Sequence, residues 1–124
     1  MKPNKKILVV DDNPNIRRLI HLTLTAQYEV MEAESGGAAL NLVREHMPDL
    51  VILDIMMPGD IDGFQVLETI KQSPELKQIL VLMVTARGQV SDYEFGLKKG
   101  ADAYFVKPFS PLSLLESVKK HLSQ

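Results

Sequence analysis

The stretch Leu50-Val51-Ile52-Leu53-Asp54-Ile55-Met56-Met57-Pro58 decides the fold. Four apolar residues run into one aspartate, and Pro58-Gly59 follows as a turn signal. An apolar run of this length, closed in this way, reads as a strand buried on both faces. Such a strand needs a covering layer on each side, and the chain around it supplies helical patterns for both.

Upstream, Ile7 to Val10 is a short apolar run ending in Asp11-Asp12-Asn13, the first predicted strand. Pro14 suits the first position of a helix and makes Asn13 its N-cap. Ile16, Leu19, Ile20 and Leu24 then recur at helical spacing. A second strand is expected over Tyr28 to Ala33. Ser35, before Gly36-Gly37, caps a second helix with Leu40 and Val43 facing inward and Pro48-Asp49 ending it. Downstream of the opening stretch, Asp62 and Gln65 form a capping-box pattern for a third helix with Phe64, Leu67 and Ile70 as its apolar face. Ser73-Pro74 ends it. Ile79 to Val84 reads as strand four, closing at Thr85-Ala86. Val90, Tyr93 and Leu97 mark a fourth helix, and Lys98-Lys99-Gly100 closes it with cations in the last turn and glycine just beyond. Ala103 to Val106 is strand five, ending at Lys107-Pro108. Ser110-Pro111 opens a fifth helix carrying Leu112, Leu115, Val118 and Leu122. Strand and helix alternate five times. The expected class is α/β, a single (βα)5 doubly wound parallel sheet with right-handed crossovers.

Composition narrows the function. At 124 residues the chain has the size of one domain and can bury roughly two thirds of its unfolded surface. It has no cysteine, hence no disulfide framework, zinc–thiolate site or thiol nucleophile. Lys+Arg 14 against Asp+Glu 16 gives −2, not the basic footprint of a nucleic-acid binder. The apolar runs are too short for a membrane span or a secretory signal. The expectation is one soluble, cytoplasmic domain over residues 1–124, with no output domain attached and no direct contact with nucleic acid or membrane.

A parallel sheet gathers all strand C-termini on one edge, where open α/β folds place their ligand crevice. That edge collects Asp11 and Asp12 after strand one, Asp54 after strand three, Thr85 after strand four and Lys107 after strand five; strand two offers only Glu32 or Glu34, less well placed. Three carboxylates brought together repel one another, and a divalent cation relieves the repulsion. Mg²⁺ takes hard oxygen ligands, commonly one or two carboxylates with waters and phosphate oxygens; Mn²⁺ suits the same donors. A lysine beside such a site neutralises a phosphoryl oxygen as a point charge, and a hydroxyl donates to another. Metal, lysine and hydroxyl around one carboxylate are the parts that stabilise phosphoryl transfer to it. Asp54, ending the most apolar strand, is the candidate nucleophile.

These residues resemble a response-regulator receiver domain of two-component signalling, chemotaxis-regulator-like. The resemblance covers essentially the whole chain, through Val9-Val10-Asp11-Asp12, Asp54-Ile55-Met56-Met57-Pro58, Asp62-Gly63, Thr85-Ala86, Gly100-Ala101-Asp102 and Lys107-Pro108-Phe109. Each motif is weak alone; all of them in order at the right strand ends make a strong signal. The resemblance implies the flavodoxin-like strand order 2-1-3-4-5, on which the alternation itself is silent. It also implies that Asp54 is the phosphoacceptor for a sensor histidine kinase or phosphotransfer protein. Asp11, Asp12, Asp54 and the backbone carbonyl of Met56 would hold the metal. Lys107 and Thr85 would contact the phosphoryl group, Tyr104 would repack when Thr85 moves, and the Lys107–Pro108 bond would be cis. The surface of helix four, strand five and helix five would then carry the signal to a downstream protein or output domain, or form a dimer. By this reading the chain catalyses its own phosphorylation and dephosphorylation and is not a turnover enzyme.

The chain departs from the pattern at Gly59-Asp60-Ile61, three residues between Met57-Pro58 and Asp62-Gly63 where the family usually has two. Met56 and Arg87 occupy the positions that tune phosphoryl lifetime in the family, and their length implies slow self-dephosphorylation. Asp62 and Ser110 read as caps, and His21, His46 and His121 show no metal spacing. Two other classes bear weighing. A metal-dependent phosphohydrolase would want a second carboxylate two residues after Asp54, where Met56 stands; a pseudo-receiver binding module would not need the intact Asp11, Asp12, Asp54, Thr85 and Lys107 set.

Overall fold

The structure, a computed structural model, describes residues 4–55, 57, 59, 61–86 and 100–123, with the backbone alone at 85 and 86. The predicted fourth helix (Val90, Tyr93, Leu97, Lys98, Lys99) lies outside the described residues. So do Met56, Pro58, Asp60, Arg87 and Asp92, and the side chain of Thr85.

The elements are β1 (Lys6–Val10), α1 (Pro14–Leu24), β2 (Glu29–Ala33), α2 (Gly36–His46), β3 (Leu50–Asp54), α3 (Gly63–Gln72), β4 (Leu80–Ala86), β5 (Ala103–Lys107) and α4 (Pro111–Leu122). The last is the helix predicted fifth from the sequence. All neighbouring strands pair in parallel, in the order β2-β1-β3-β4-β5. This is the doubly wound sheet expected, with the flavodoxin-like order that the resemblance implied.

The caps are the ones the sequence announces. Asn13 accepts hydrogen bonds from the Asn15 and Ile16 N–H groups, with Pro14 following. Ser35 accepts from Ala38 N and Ser110 from Ser113 N. Asp62 and Gln65 complete a reciprocal capping box. Each satisfies donors the helix leaves unpaired, a contribution of about 1 kcal/mol per cap. At the other end of α2, Met47 takes a left-handed conformation (φ 49°) and returns its N–H to Val43 O.

β3 is buried at all five positions. Its pleat sends Leu50 and Ile52 to one face and Val51 and Leu53 to the other. On the first face they join Ile7, Val9, Leu82 and Val84 under Ile20 and Leu24 of α1 and Leu114 and Val118 of α4. On the second face Leu8, Val10, Val81 and Met83 pack under Ala39, Leu40 and Val43 of α2 and Val66, Leu67 and Ile70 of α3. Each buried Leu, Ile or Val contributes about 1.5–3 kcal/mol relative to exposure. Not every apolar residue named at helical spacing faces the core. Leu19 is 42% exposed and Leu112 is 64% exposed. Ile20 and Leu114 take the inward places, because the contact stripe of a helix is set by the sheet beneath it and not by which leucine comes first.

Gly63 and Gly100 are required by their positions. A Cβ at Gly63 would collide with the Asp54 carbonyl oxygen and come within 2.6 Å of Ile55 Cα, so only glycine lets α3 start against the end of β3. Gly100 has φ 105°, where L side chains are strained.

Candidate functional site: an acidic cluster with a bridging lysine

Register builds the site. Val10 pairs with Leu53, so Asp11 and Asp54 leave the sheet side by side. Each follows by two an inward residue of the α1/α4 face, Val9 and Ile52, so the pleat aims both to the same side. Ala86 of β4 pairs with Lys107 of β5, which places the lysine two strands beyond β3, at the same edge.

Asp11, Asp12 and Asp54 each offer a carboxylate oxygen, and these oxygens all lie within 4.8 Å of one another. Asp11 is 2% exposed and Asp54 4%, whereas Asp12 is exposed. Lys107 Nζ lies 3.0 Å from Asp11 Oδ2 and 3.6 Å from Asp54 Oδ2. Burial alone lowers the pKa of the Lys107 ammonium. The hydrogen bond with Asp11 and the fields of Asp54 and Asp11 outweigh burial and raise it above its ordinary value. The lysine is therefore a permanent cation at neutral pH, shared between two buried carboxylates.

Each arm of Asp11 is held. Its Oδ1 accepts from Asn13 N at 2.9 Å, its N–H donates to Ala33 O at 3.2 Å, and its carbonyl accepts from Arg17 Nη1 at 2.8 Å. Arg17 in turn donates through Nε to Glu32 Oε1 at 2.9 Å, and His21 Nδ1 lies 2.7 Å from Glu32 Oε2. Burial raises the Glu32 pKa, but the hydrogen bonds with Arg17 and His21 outweigh it and hold the carboxyl below its usual range. Arg17 was not singled out in the sequence; its one signal is that it falls in the turn after the acidic pair.

Of the residues expected at the site, the structure brings Asp11, Asp12, Asp54 and Lys107 together. Thr85 is placed by its backbone at the end of β4, opposite Val106. Tyr104 is half-buried and packs against the α2/α3 cluster. Met56 lies outside the described residues. Glu32 is turned to Arg17 and His21, and Glu34 is exposed. Asp62 and Ser110 are caps, and Lys107–Pro108 is cis.

The model of the response regulator receiver domain family matches residues 7–119. The chain belongs to the response regulator receiver family. This receiver is 44% identical over 115 residues to a probable transcriptional regulator, ycf27, of Guillardia theta, an alignment spanning 92% of this chain and 44% of that protein. It is 40% identical over 116 residues to the phosphate regulon transcriptional regulatory protein PhoB of Escherichia coli (strain K12), covering 93% and 50%. The receiver chain thus spans about half the length of the curated relatives it matches. Among solved structures it resembles a putative response regulator from Chloroflexus aurantiacus (TM-score 0.91, 38% identity, 99% and 100% coverage). It also resembles the chemotaxis protein CheY4 of Vibrio cholerae (TM-score 0.87, 32% identity, 96% and 99% coverage). No helix among the described residues is long and apolar enough to cross a membrane.

Proposed function

We propose that this receiver is a phosphoacceptor switch of a cytoplasmic two-component phosphorelay, with Asp54 as acceptor. The observation that carries the reading is Lys107 Nζ set between Asp11 and Asp54 beside a three-carboxylate cluster. An Asp54 oxygen attacks the phosphorus of a phosphohistidine on a sensor kinase or phosphotransfer protein, or of a small phosphodonor. With a phosphohistidine the O–P bond forms as the P–N bond breaks, and the ring nitrogen keeps the electron pair and takes a proton from solvent; with acetyl phosphate the bond broken is P–O and acetate leaves. Lys107 neutralises charge on the phosphoryl oxygens, and Thr85 donates a hydrogen bond to one of them.

The all-oxygen donor set of Asp11, Asp12 and Asp54 fits Mg²⁺ or Mn²⁺, with the Met56 carbonyl as a further ligand. When bound, the cation offsets carboxylate repulsion and the charge of the incoming phosphoryl group.

Phosphorylation adds roughly one further negative charge and three acceptor oxygens at Asp54. Thr85 moves to meet them, Tyr104 repacks, and the surface formed by the predicted fourth helix, β5 and α4 changes. A coupling of ~1–3 kcal/mol biases that surface between two arrangements read by a downstream protein, an output domain or a second copy. The chain acts on itself and does not turn over a substrate.

Incubation with acetyl phosphate and Mg²⁺ followed by intact mass measurement tests the reading. The expected result is a gain of one phosphate that is absent without Mg²⁺ and absent in Asp54→Asn. An unchanged wild-type mass would leave only a phosphate-independent binding module.

A further inference from the structure

We propose that Arg17 is a positioning residue for the metal-binding aspartate pair, holding the Asp11–Asp12 peptide from outside the carboxylate cluster; the proposal rests on the cation reading above. Arg17 Nη1 donates to the Asp11 carbonyl at 2.8 Å. That carbonyl and the Asp12 N–H belong to one rigid peptide plane. Fixing the oxygen fixes the plane, and the plane sets the direction in which Asp12 leaves the chain. Asp12 is exposed, unlike Asp11 and Asp54, so packing does little to aim it.

The guanidinium is itself held. Its Nε donates to Glu32 Oε1 at 2.9 Å, and Glu32 is gripped on its other oxygen by His21 of α1. Glu32 stands on β2, paired to β1 one residue before Val10 pairs with Ala33. The anchor is therefore the sheet, and Arg17 transfers its rigidity to the loop after β1. The planar fork of an arginine suits two acceptors at a fixed angle. The role differs from charge balance, and the two predict opposite signs. Removing a guanidinium near a cation site strengthens cation binding by Coulomb's law alone. Removing the group that orients the carboxylates weakens it, typically by about tenfold or more for such outer partners.

Mg²⁺ alone, titrated calorimetrically into the intact chain, decides between them. Arg17→Met is expected to raise the Mg²⁺ Kd about tenfold, with far-UV dichroism and amide NMR showing the fold retained. Arg17→Lys, which keeps the charge and one reaching donor, is expected to recover part of the loss. In the Arg17→Met background, Glu32→Gln is expected to add little, because Glu32 acts through Arg17. A Kd unchanged or tightened in folded Arg17→Met overturns the proposal, as does full additivity with Glu32→Gln. Should Arg17→Met not fold, Arg17→Gln takes its place with the same outcomes. A wild-type chain that binds no Mg²⁺ overturns the cation reading itself; wild-type binding with an indifferent Arg17 variant overturns the positioning role alone.

Discussion

The Lys107 ammonium lies 3.0 Å from Asp11 Oδ2, joining the fifth strand to the first across two intervening strands. The same nitrogen is 3.6 Å from Asp54, so one cation spans the metal-binding and phosphoacceptor candidates.

Replacing Lys107 with methionine keeps the stem and removes the charge. Phosphate uptake from acetyl phosphate is expected to fall about 100-fold, the scale of losing one donor aimed at developing charge. Initial rates by intact mass measure it; an unaltered rate would remove Lys107 from the chemistry. Because its folded pKa is raised, any stability that Lys107 contributes is present below about pH 10.4 and lost as pH climbs through the higher folded value. The difference in urea midpoint between wild type and variant is expected to be constant from about pH 7 to about pH 9.

Cation binding stabilises the native state by mass action. At a free Mg²⁺ of about ten times Kd the gain is about 1.4 kcal/mol, which raises Tm by roughly 4–6 °C for a domain of this size. Thermal unfolding with and without Mg²⁺ checks this, and the shift is expected to vanish in Asp11→Asn/Asp12→Asn.

Gly63→Ala adds a methyl where the Asp54 carbonyl and Ile55 Cα already stand. The start of α3 must move away from the end of β3, at about 1–3 kcal/mol of overpacking strain. Urea unfolding is expected to show the loss, and phosphate uptake is expected to slow because Asp54 shifts with its backbone. A variant as stable and as quickly phosphorylated as wild type would contradict the close approach.

Glu32 has a lowered folded pKa, so its contribution is present above the unfolded carboxylate value near 4.3 and lost as pH falls through the lower folded value. It is partly exposed, and screening limits each of its pairs to about 0.2–1 kcal/mol. Glu32→Gln is expected to be less stable than wild type at neutral pH, with the difference closing in acid. A difference that widens in acid would reverse the assigned sign.

Much of this molecule can be read without coordinates because its signals are local. Asn13-Pro14, Ser35, Asp62 with Gln65, and Ser110-Pro111 announce helix starts through hydrogen bonds made within a few residues, and all four caps are in place. The alternation of strand and helix dictates a parallel sheet, and a parallel sheet puts every strand end on one edge. That is enough to nominate Asp11, Asp12, Asp54 and Lys107 together. Strand order needed the family resemblance, since alternation does not say which strands are neighbours. Tertiary structure alone decided how the nominated residues differ. Register and packing bury Asp11 and Asp54 and leave Asp12 in solvent, and they leave Leu19 and Leu112 exposed while Ile20 and Leu114 enter the core. They also turn Glu32 from the acidic edge toward Arg17, a pairing 15 residues apart in sequence that no local pattern encodes. Which groups meet across a sheet depends on how its strands are laid side by side, and that arrangement is a property of the whole core.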